Sequence, residues 1–204
     1  MTKNVGILIF DDAEVLDFAG PFEVFSVTNQ INAERPFNVF TISKSGGIVS
    51  AVNGLRVQPD YSIDNSPEID ILIISGGQGT RSLLGDRQLL DWVSRIYESA
   101  ALTLSICSAS RLMGTLGLLN DKYFCTHHEV YEHMAEIAPL ALPQPEKRFT
   151  QSTDKLFTSG GISAGIDLSF HVISTLLGEA VAVRTAEYME YNYIPQHATH
   201  EQAH

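Results

Sequence analysis

Four short apolar runs constrain the fold of this 204-residue chain more than any other feature. Runs of this length are typical of strands that are buried on both faces, which occur almost only in parallel sheets. Patterns with apolar residues every three or four positions separate several of the runs and indicate helices. This alternation predicts an α/β fold in which right-handed crossovers join parallel strands. The runs are 5–10, 37–42, 69–74 and 102–106, and the clearest helical patterns are 21–30 and 86–99.

The rest of the chain extends this prediction. Gly46-Gly47 and Asn53-Gly54 interrupt short β-type runs, and Asn-Gly favours a hairpin, so we expect a small hairpin between residues 45 and 64. One domain is expected over residues 1–193, because a chain of this length builds one large core. The tail, residues 194–204, has no apolar periodicity and is expected to be disordered. Between these parts, the pattern predicts a strand at 122–126, a helix at 129–137, two short strands within 148–159 and a final helical region, broken near Gly178, that ends near residue 191.

Composition excludes several classes of function. The formal net charge is −11 and the basic residues are scattered, which argues against nucleic acid as a partner. No run approaches the ~20 apolar residues of a membrane span, and the N-terminal run is too short for a signal peptide. Two cysteines do not make a disulfide framework, so we expect a reducing compartment, the cytosol.

Cys107 is the candidate nucleophile. It follows the run at 102–106 and precedes a helix-like stretch, with Ser105 and Ala109 as small neighbours, a pattern typical of a nucleophile elbow. The N–H groups at the start of that helix are expected to lower the thiol pKa from its usual value of about 8.5. The alternative is a buried cysteine that acts as a small apolar residue. We expect that packing role for Cys125, which lies in a strand-like segment without an elbow.

Ligands bind at the carboxyl ends of the strands in an open parallel sheet, where three segments are expected to converge: 11–20, 75–80 and Cys107-Ser108. The glycine-rich segment 75–80 lacks the lysine of a P-loop, and its glycines allow close approach to a ligand. We expect the Gly79 and Ser108 N–H groups to form an oxyanion hole, with a purely conformational glycine turn as the alternative. Asp17 lies among apolar neighbours and serves either as a general acid/base or as a helix N-cap.

The histidines do not predict a metal site. His128 and His133 are five residues apart, whereas a zinc-protease helix places two histidines four apart on one face. His128 and Glu132 share a face but fit a surface charge pair. His171 fits a packed helix histidine, and the tail histidines, at 197, 200 and 204, would hold metal only adventitiously. We therefore expect neither a metal nor a cofactor.

Four segments, in this order along the chain, carry a resemblance to a known family: 15–25, Gly76-Gly77-x-Gly79, 106–109 with 116–119, and 158–167. On these segments the chain resembles the DJ-1/PfpI superfamily, whose domain is related to class I glutamine amidotransferases. It looks closest to the isonitrile hydratase branch and to the sensor domains of AraC-type regulators. The resemblance implies a flavodoxin-like three-layer sandwich with a mostly parallel sheet, a cysteine nucleophile elbow and a homodimer.

The resemblance also implies a reaction. Cys107 would attack the carbon of an isonitrile while Asp17 handles protons and water, and the product would be an N-substituted formamide. Ser108 stands where such hydratases typically carry threonine. The protease-like branch usually has histidine there, which argues against peptidase or glyoxalase-like activity. The Gly77 loop and His127, which matches a histidine often found after the following strand, are expected to line the substrate site.

Two departures and two alternatives stay open. Ser75 replaces a proline that is common before the glycine pair, and Ser110-Arg111 bring polar residues to a helix turn that is usually apolar. Either the pocket is altered or Arg111 reaches solvent. Besides a hydratase or hydrolase of a small electrophile, the chain fits a non-catalytic ligand or redox sensor in which Cys107 oxidises to sulfenic acid. Glyoxalase or deglycase chemistry is the further alternative.

Overall fold

A seven-stranded sheet forms the centre of the chain in a computed structural model, which describes residues 2–195. The strands are β1 Lys3–Leu8, β2 Phe37–Ser43, β3 Val49–Ser50, β4 Arg56–Val57, β5 Tyr61–Ser62, β6 Ile71–Ile74, β7 Leu102–Ile106, β8 Tyr123–Phe124, β9 Leu142–Pro143, β10 Phe149–Gln151 and β11 Leu156–Ser159. The helices are α1 Val15–Ile31, α2 Thr80–Leu83, α3 Arg87–Ser99, α4 Ser110–Thr115, α5 Tyr131–Ile137, α6 Ala164–Leu177 and α7 Glu179–Tyr188.

The order of the strands confirms the predicted α/β fold. In the central sheet the order is β10-β11-β7-β6-β1-β2-β5, and every neighbouring pair is parallel except β10 with β11. The four apolar runs overlap the strands β1, β2, β6 and β7, which are adjacent in the sheet. All four residues of β6 are buried, as expected for a strand that is covered on both faces.

Helices cover both faces of this sheet. The crossover from β1 through α1 to β2 runs towards one edge, whereas the crossover from β6 through α3 to β7 runs towards the other. Because both crossovers are expected to be right-handed, α1 and α3 lie on opposite faces. Helices α6 and α7 pack against α1, and α4 packs against α5. The apolar runs are continuous because neither face of the central strands is left to solvent.

Helix α1 begins six residues earlier than the pattern predicted. The helical pattern 21–30 would put Pro21 at the start of the helix, where proline is favoured, but it lies inside a helix that starts at Val15. Asp17, Phe18, Gly20 and Pro21 are all buried, so packing of this first part of the helix outweighs the preference of proline for the first turn.

Other local predictions are met in part. Strands β3 and β4 form the expected antiparallel hairpin around Asn53-Gly54, and Gly178 separates α6 from α7 with a φ of 94°. The segment 129–137 is a 3-10 turn at His128–Val130 followed by α5. Residues 196–204 of the predicted disordered tail lie outside the described residues. Within residues 2–195, no helix is both long and apolar enough to cross a membrane.

Two phenylalanines on α1 differ in burial, and they should therefore differ in their contribution to stability. Phe25 is fully buried and packs edge-to-face on Phe37 at 4.9 Å between ring centroids, whereas Phe22 is 37% exposed. Phe25→Ala should therefore lower the free energy of unfolding by about 3–5 kcal/mol. Phe22→Ala is the matched control and should cost less than about 1 kcal/mol. Urea unfolding measures both, and equal losses would contradict this packing of α1.

Candidate active site

Three loops meet where the crossovers change direction, beside the carboxyl ends of β1, β6 and β7. The loop after β1 pairs with the loop after β6 through an antiparallel bridge between Ala13 and Gly77. The Gly77 N–H in turn donates to the Ser108 hydroxyl at 2.8 Å, at the end of β7. The predicted convergence of these segments is therefore present. Such a switch point is where open α/β sheets bind their ligands.

Cys107 has the backbone of a nucleophile elbow. Ile106 is extended, whereas Cys107 has a φ of 58°, in the left-handed region that a residue with a side chain rarely adopts. The surrounding structure holds this strained turn. The Cys107 carbonyl accepts a hydrogen bond from the Thr126 hydroxyl at 2.9 Å, and the Cys107 N–H donates to the Gly160 carbonyl at 3.3 Å. Cys107 is 5% exposed.

Asp17 lies against this thiol. The carboxyl is fully buried, forms a hydrogen bond with Cys107, and accepts one from the Gly76 N–H at 3.1 Å and one from the Ile162 N–H at 2.9 Å. Those two N–H groups belong to two other loops, and Glu14 occupies the N-cap position of α1. The N-capping alternative for Asp17 is therefore wrong. The carboxyl is held in one orientation, facing the sulfur.

Burial raises the pKa of both groups of this pair. It raises the pKa of Asp17 to about 7, although hydrogen bonds from Cys107, Ile162 and Gly76 act in the opposite direction. Burial, reinforced by the negative charge of Asp17, also raises the pKa of the Cys107 thiol well above its usual value. The lowered thiol pKa expected from the sequence is thus wrong, because loss of water outweighs the N–H groups of the short helix that follows. The pair holds at most one negative charge near neutral pH.

The glycine loop after β6 serves the protein's own contacts. Gly76 donates to Asp17, Gly77 to Ser108, and the Gly79 N–H to the Asp12 carbonyl at 3.2 Å. A Cβ at Gly79 would lie 1.9 Å from the Asp11 carbonyl oxygen. The oxyanion-hole role expected of Gly79 would require this bond to Asp12 to break. The geometry instead favours the alternative, a conformational role for this glycine.

Ser108 supports the elbow through both its backbone and its hydroxyl. The hydroxyl donates to the Gly77 carbonyl at 2.9 Å and accepts from the Gly77 N–H, so it ties the elbow to the glycine loop. The Ser108 N–H donates to the Cys107 sulfur and lowers the thiol pKa, against the effect of burial. Of the two predicted oxyanion donors, this N–H is the one directed at the reacting atom.

His127 lies close to the Cys107 sulfur. A Cβ at Gly161 would lie 2.6 Å from His127 Cδ2 and 2.9 Å from the Cys107 sulfur, so the ring and the thiol flank the same glycine. His127 Nδ1 accepts a hydrogen bond from the Glu129 N–H, which places the proton of the neutral ring on Nε2. Burial lowers the pKa of His127, and the neutral ring is therefore a hydrogen-bond donor beside the site.

The remaining histidines and the second cysteine have other surroundings. His171 packs beside Phe149 and Phe157, with ring centroids at 5.1 and 5.8 Å. His128 is exposed and lies 3.9 Å from Glu129. Residues 2–195 contain no group of three side chains arranged to hold a metal, and the tail histidines lie outside this range. Cys125 is buried, burial raises its pKa to about 11, and it fits the predicted packing role.

Two participants were not assigned from the sequence. The Ile162 N–H binds Asp17 from a residue whose φ is 58°, and the preceding Gly160-Gly161 was the available signal for a close approach. Arg111 is 2% exposed, so the idea that it reaches solvent is wrong. Its guanidinium donates to the Thr80 hydroxyl at 2.9 Å and to His133 Nδ1 at 3.0 Å.

Known proteins share this arrangement of elements. A model described as the DJ-1/PfpI family matches residues 3–175. The chain is 29% identical to isonitrile hydratase from Pseudomonas putida, over 93% of this chain and 77% of that protein. It is 26% identical to the HTH-type transcriptional regulator GbdR from Pseudomonas aeruginosa, over 98% of this chain and 53% of the regulator. A crystal structure of a ThiJ/PfpI family protein from Pseudomonas syringae superimposes with a TM-score of 0.84 at 23% identity, covering 96% of this chain and 78% of that one.

The glycine loop packs closely against the elbow, which predicts that a substitution at Gly76 destabilises the protein more than one at Gly85. A Cβ at Gly76 would lie 2.6 Å from both Cys107 Cβ and the Ser108 nitrogen, whereas a Cβ at Gly85 would meet nothing within 4 Å. Gly76→Ala should lower the free energy of unfolding by about 1–3 kcal/mol through overpacking. Gly85→Ala, the control, should stay within about 0.5 kcal/mol of the wild type in urea unfolding. An unchanged free energy of unfolding in Gly76→Ala would show that the loop and the elbow are not in contact.

The raised pKa of Asp17 predicts how stability depends on pH. The folded protein keeps the Asp17 proton up to about pH 7, whereas the unfolded chain releases it near its ordinary pKa of 3.8. Asp17 should therefore make the free energy of unfolding fall as pH rises between these values, by up to about 1.4 kcal/mol per pH unit. Urea unfolding of the wild type and Asp17→Asn at pH 5, 6 and 7 isolates this component. Parallel pH dependences in the two proteins would contradict it.

Proposed function

Because the chain belongs to the DJ-1/PfpI family, we propose that it is a cysteine-dependent hydratase of a small electrophile, with an isonitrile as substrate and an N-substituted formamide as product. The observation that carries this proposal is the hydrogen-bonded pair of Cys107 and Asp17 at the elbow. An isonitrile needs both a nucleophile and a proton at one carbon atom, and this pair holds one of each. The similarity to isonitrile hydratase supports the same substrate class.

In the first step, the pair adds across the isonitrile carbon. The Cys107 sulfur forms a bond to that carbon, and the proton shared by the thiol and Asp17 is delivered to the same atom. The product is a thioimidate, with a carbon–nitrogen double bond, and Asp17 is left as a carboxylate. A pKa of about 7 suits this exchange, since it lies near the operating pH of a general acid/base.

In the second step, water releases the product. The Asp17 carboxylate takes a proton from a water molecule, whose oxygen bonds to the thioimidate carbon, and the substrate nitrogen receives that proton. The carbon–sulfur bond then breaks as the carbonyl forms, and the hydroxyl proton returns to the pair. The sum is one isonitrile plus one water giving one formamide, with the pair restored.

Neighbouring groups are placed to assist these steps. The Ser108 N–H faces the sulfur and stabilises negative charge on it during attack and departure. The His127 Nε2–H is the donor proposed for the substrate nitrogen or the developing oxygen. Ile162 exposes an apolar side chain in the loop that also binds Asp17, which suits an apolar substituent on the substrate.

A ligand sensor is the second candidate, supported by the similarity to GbdR over nearly the whole chain. The chain spans about half the length of that regulator, so a sensor role would concern ligand binding by this domain. Within this alternative, the structure favours ligand binding over redox sensing. Oxidation to sulfenic acid is fastest at exposed thiolates, whereas Cys107 is buried and its pKa is raised.

The assembly and the compartment are proposals as well. We propose a homodimer, on the basis of the family resemblance, and the cytosol, because both cysteines are free and a reactive thiol persists best in a reducing compartment.

Substitutions at the pair test the hydratase directly. Cys107→Ala should abolish formation of the formamide from a small alkyl isonitrile, and Asp17→Asn should slow it by about 10²–10⁴-fold because the general acid/base is lost. Cys125→Ala removes the other thiol and should keep the activity. Mass spectrometry of the product formed in ¹⁸O-labelled water should show one labelled oxygen.

Two outcomes would contradict the proposal. Activity that survives Cys107→Ala would exclude the nucleophile. Wild-type protein that converts neither isonitriles nor dicarbonyl compounds, but binds a small ligand at this site, would favour the sensor, whereas turnover of dicarbonyl compounds alone would favour a glyoxalase or deglycase.

A further inference from the structure

Arg111 is a buried cation without an anionic side chain beside it. Arg111 is 2% exposed, and the hydrogen-bond partners of its guanidinium, Thr80 Oγ1 and His133 Nδ1, are both neutral acceptors. Within residues 2–195, no carboxylate lies within ion-pair distance of it. A buried charge is costly unless an opposite charge compensates it, so the surroundings of Arg111 need an anion.

The charged groups around Arg111 leave one candidate for that anion. Burial lowers the pKa of Arg111, Arg81 lowers it further, and negative charge on Cys107 is the influence that raises it. His133 cannot compensate the guanidinium, because its Nδ1 accepts from Arg111 and the ring must be neutral to do so. Burial lowers the pKa of His133, as do Arg111 and Arg81, and only Glu136 acts weakly in the other direction. The thiolate is the remaining candidate.

Two hydroxyl groups connect the guanidinium to the elbow. Thr80 Oγ1 accepts from Arg111 Nη1, donates to the Gly77 carbonyl at 2.8 Å and lies 3.3 Å from Ser108 Oγ. The Ser108 hydroxyl donates to the same carbonyl, and the Ser108 N–H faces the sulfur. Both hydroxyl groups thus donate to the Gly77 carbonyl, and Arg111, by holding Thr80, helps to fix the residue whose N–H faces the sulfur.

We propose that Arg111 is a positioning residue that supplies the counter-charge for negative charge on Cys107 and, through Thr80, fixes Ser108 at the elbow. This role rests on the proposed function, in which Cys107 reacts as a nucleophile. Arg111 stabilises the negative charge that appears on sulfur when the thiol proton passes to Asp17. The thiolate is then available for attack, and it is stabilised again when the carbon–sulfur bond breaks.

A purely structural role for Arg111 makes different predictions. Replacing a buried charge by an apolar side chain of similar length is often neutral or stabilising, so Arg111→Met is expected to fold. If Arg111 only filled space, this variant would keep the reactivity of Cys107. If Arg111 acts as a counter-charge, the variant keeps its fold, but a smaller fraction of Cys107 is thiolate at a given pH.

The experiment measures how the alkylation rate of Cys107 by iodoacetamide depends on pH, in a Cys125→Ala background so that one thiol remains. Arg111→Met should shift the profile to higher pH and slow alkylation at pH 7 by about tenfold or more, one pKa unit being a factor of ten in thiolate. Arg111→Lys keeps the charge and should recover most of the rate. Arg81→Gln removes an exposed cation nearby and should leave the profile unchanged. Circular dichroism checks the fold, and Arg111→Gln replaces Arg111→Met if the latter does not fold.

The outcomes separate this inference from the proposed function. A reactive wild type together with an unchanged profile for Arg111→Met overturns the role of Arg111 alone. An Arg111→Lys profile as impaired as that of Arg111→Met also overturns it, because the charge is then not what matters. A wild-type thiol that is inert at every pH overturns the nucleophilic role of Cys107 and, with it, this role of Arg111.

Discussion

The Asp17 carboxyl and the Cys107 thiol share a space that has been closed to water, and much of the site follows from that closure. Each group is buried, and the pKa of each is raised, so the pair accommodates one negative charge and one proton between them. A proton held in this way can move to a substrate atom and return. Ile162, Gly76 and Ser108 donate N–H groups that fix the two side chains face to face.

Holding these groups together requires unusual backbone. Cys107 and Ile162 both have a φ of 58°, and Gly77 has a φ of 117°. Such conformations persist when the surrounding structure over-determines them. Here the parallel sheet sets the directions of three strand ends, and hydrogen bonds between their loops hold the turns. These three residues lie at the site, and the turns that they form hold the pair, which links the fold to the proposed chemistry.

The sequence predicted the parts that depend on local pattern. Apolar runs predicted β1, β2, β6 and β7, and small neighbours around Cys107 predicted the elbow. It left the choice between the two roles of Asp17 open, because capping and acid/base chemistry place the same residue at a helix start. The sequence did not predict the direction in which the pKa of the Cys107 thiol shifts, nor the hydrogen bond from the Gly79 N–H to the Asp12 carbonyl. Both depend on which distant segments exclude water or approach closely, as does the burial of Arg111.

The protonation of Asp17 is the central claim of this account, and ¹³C NMR measures it most directly. In protein labelled at the aspartate carboxyl carbon, the Asp17 resonance is the one that disappears in Asp17→Asn. The account predicts that this resonance titrates near pH 7, well above the ordinary carboxyl value of 3.8. Titration near pH 4 would contradict it, because Asp17 would then be a plain carboxylate at neutral pH without a proton of its own to deliver as a general acid.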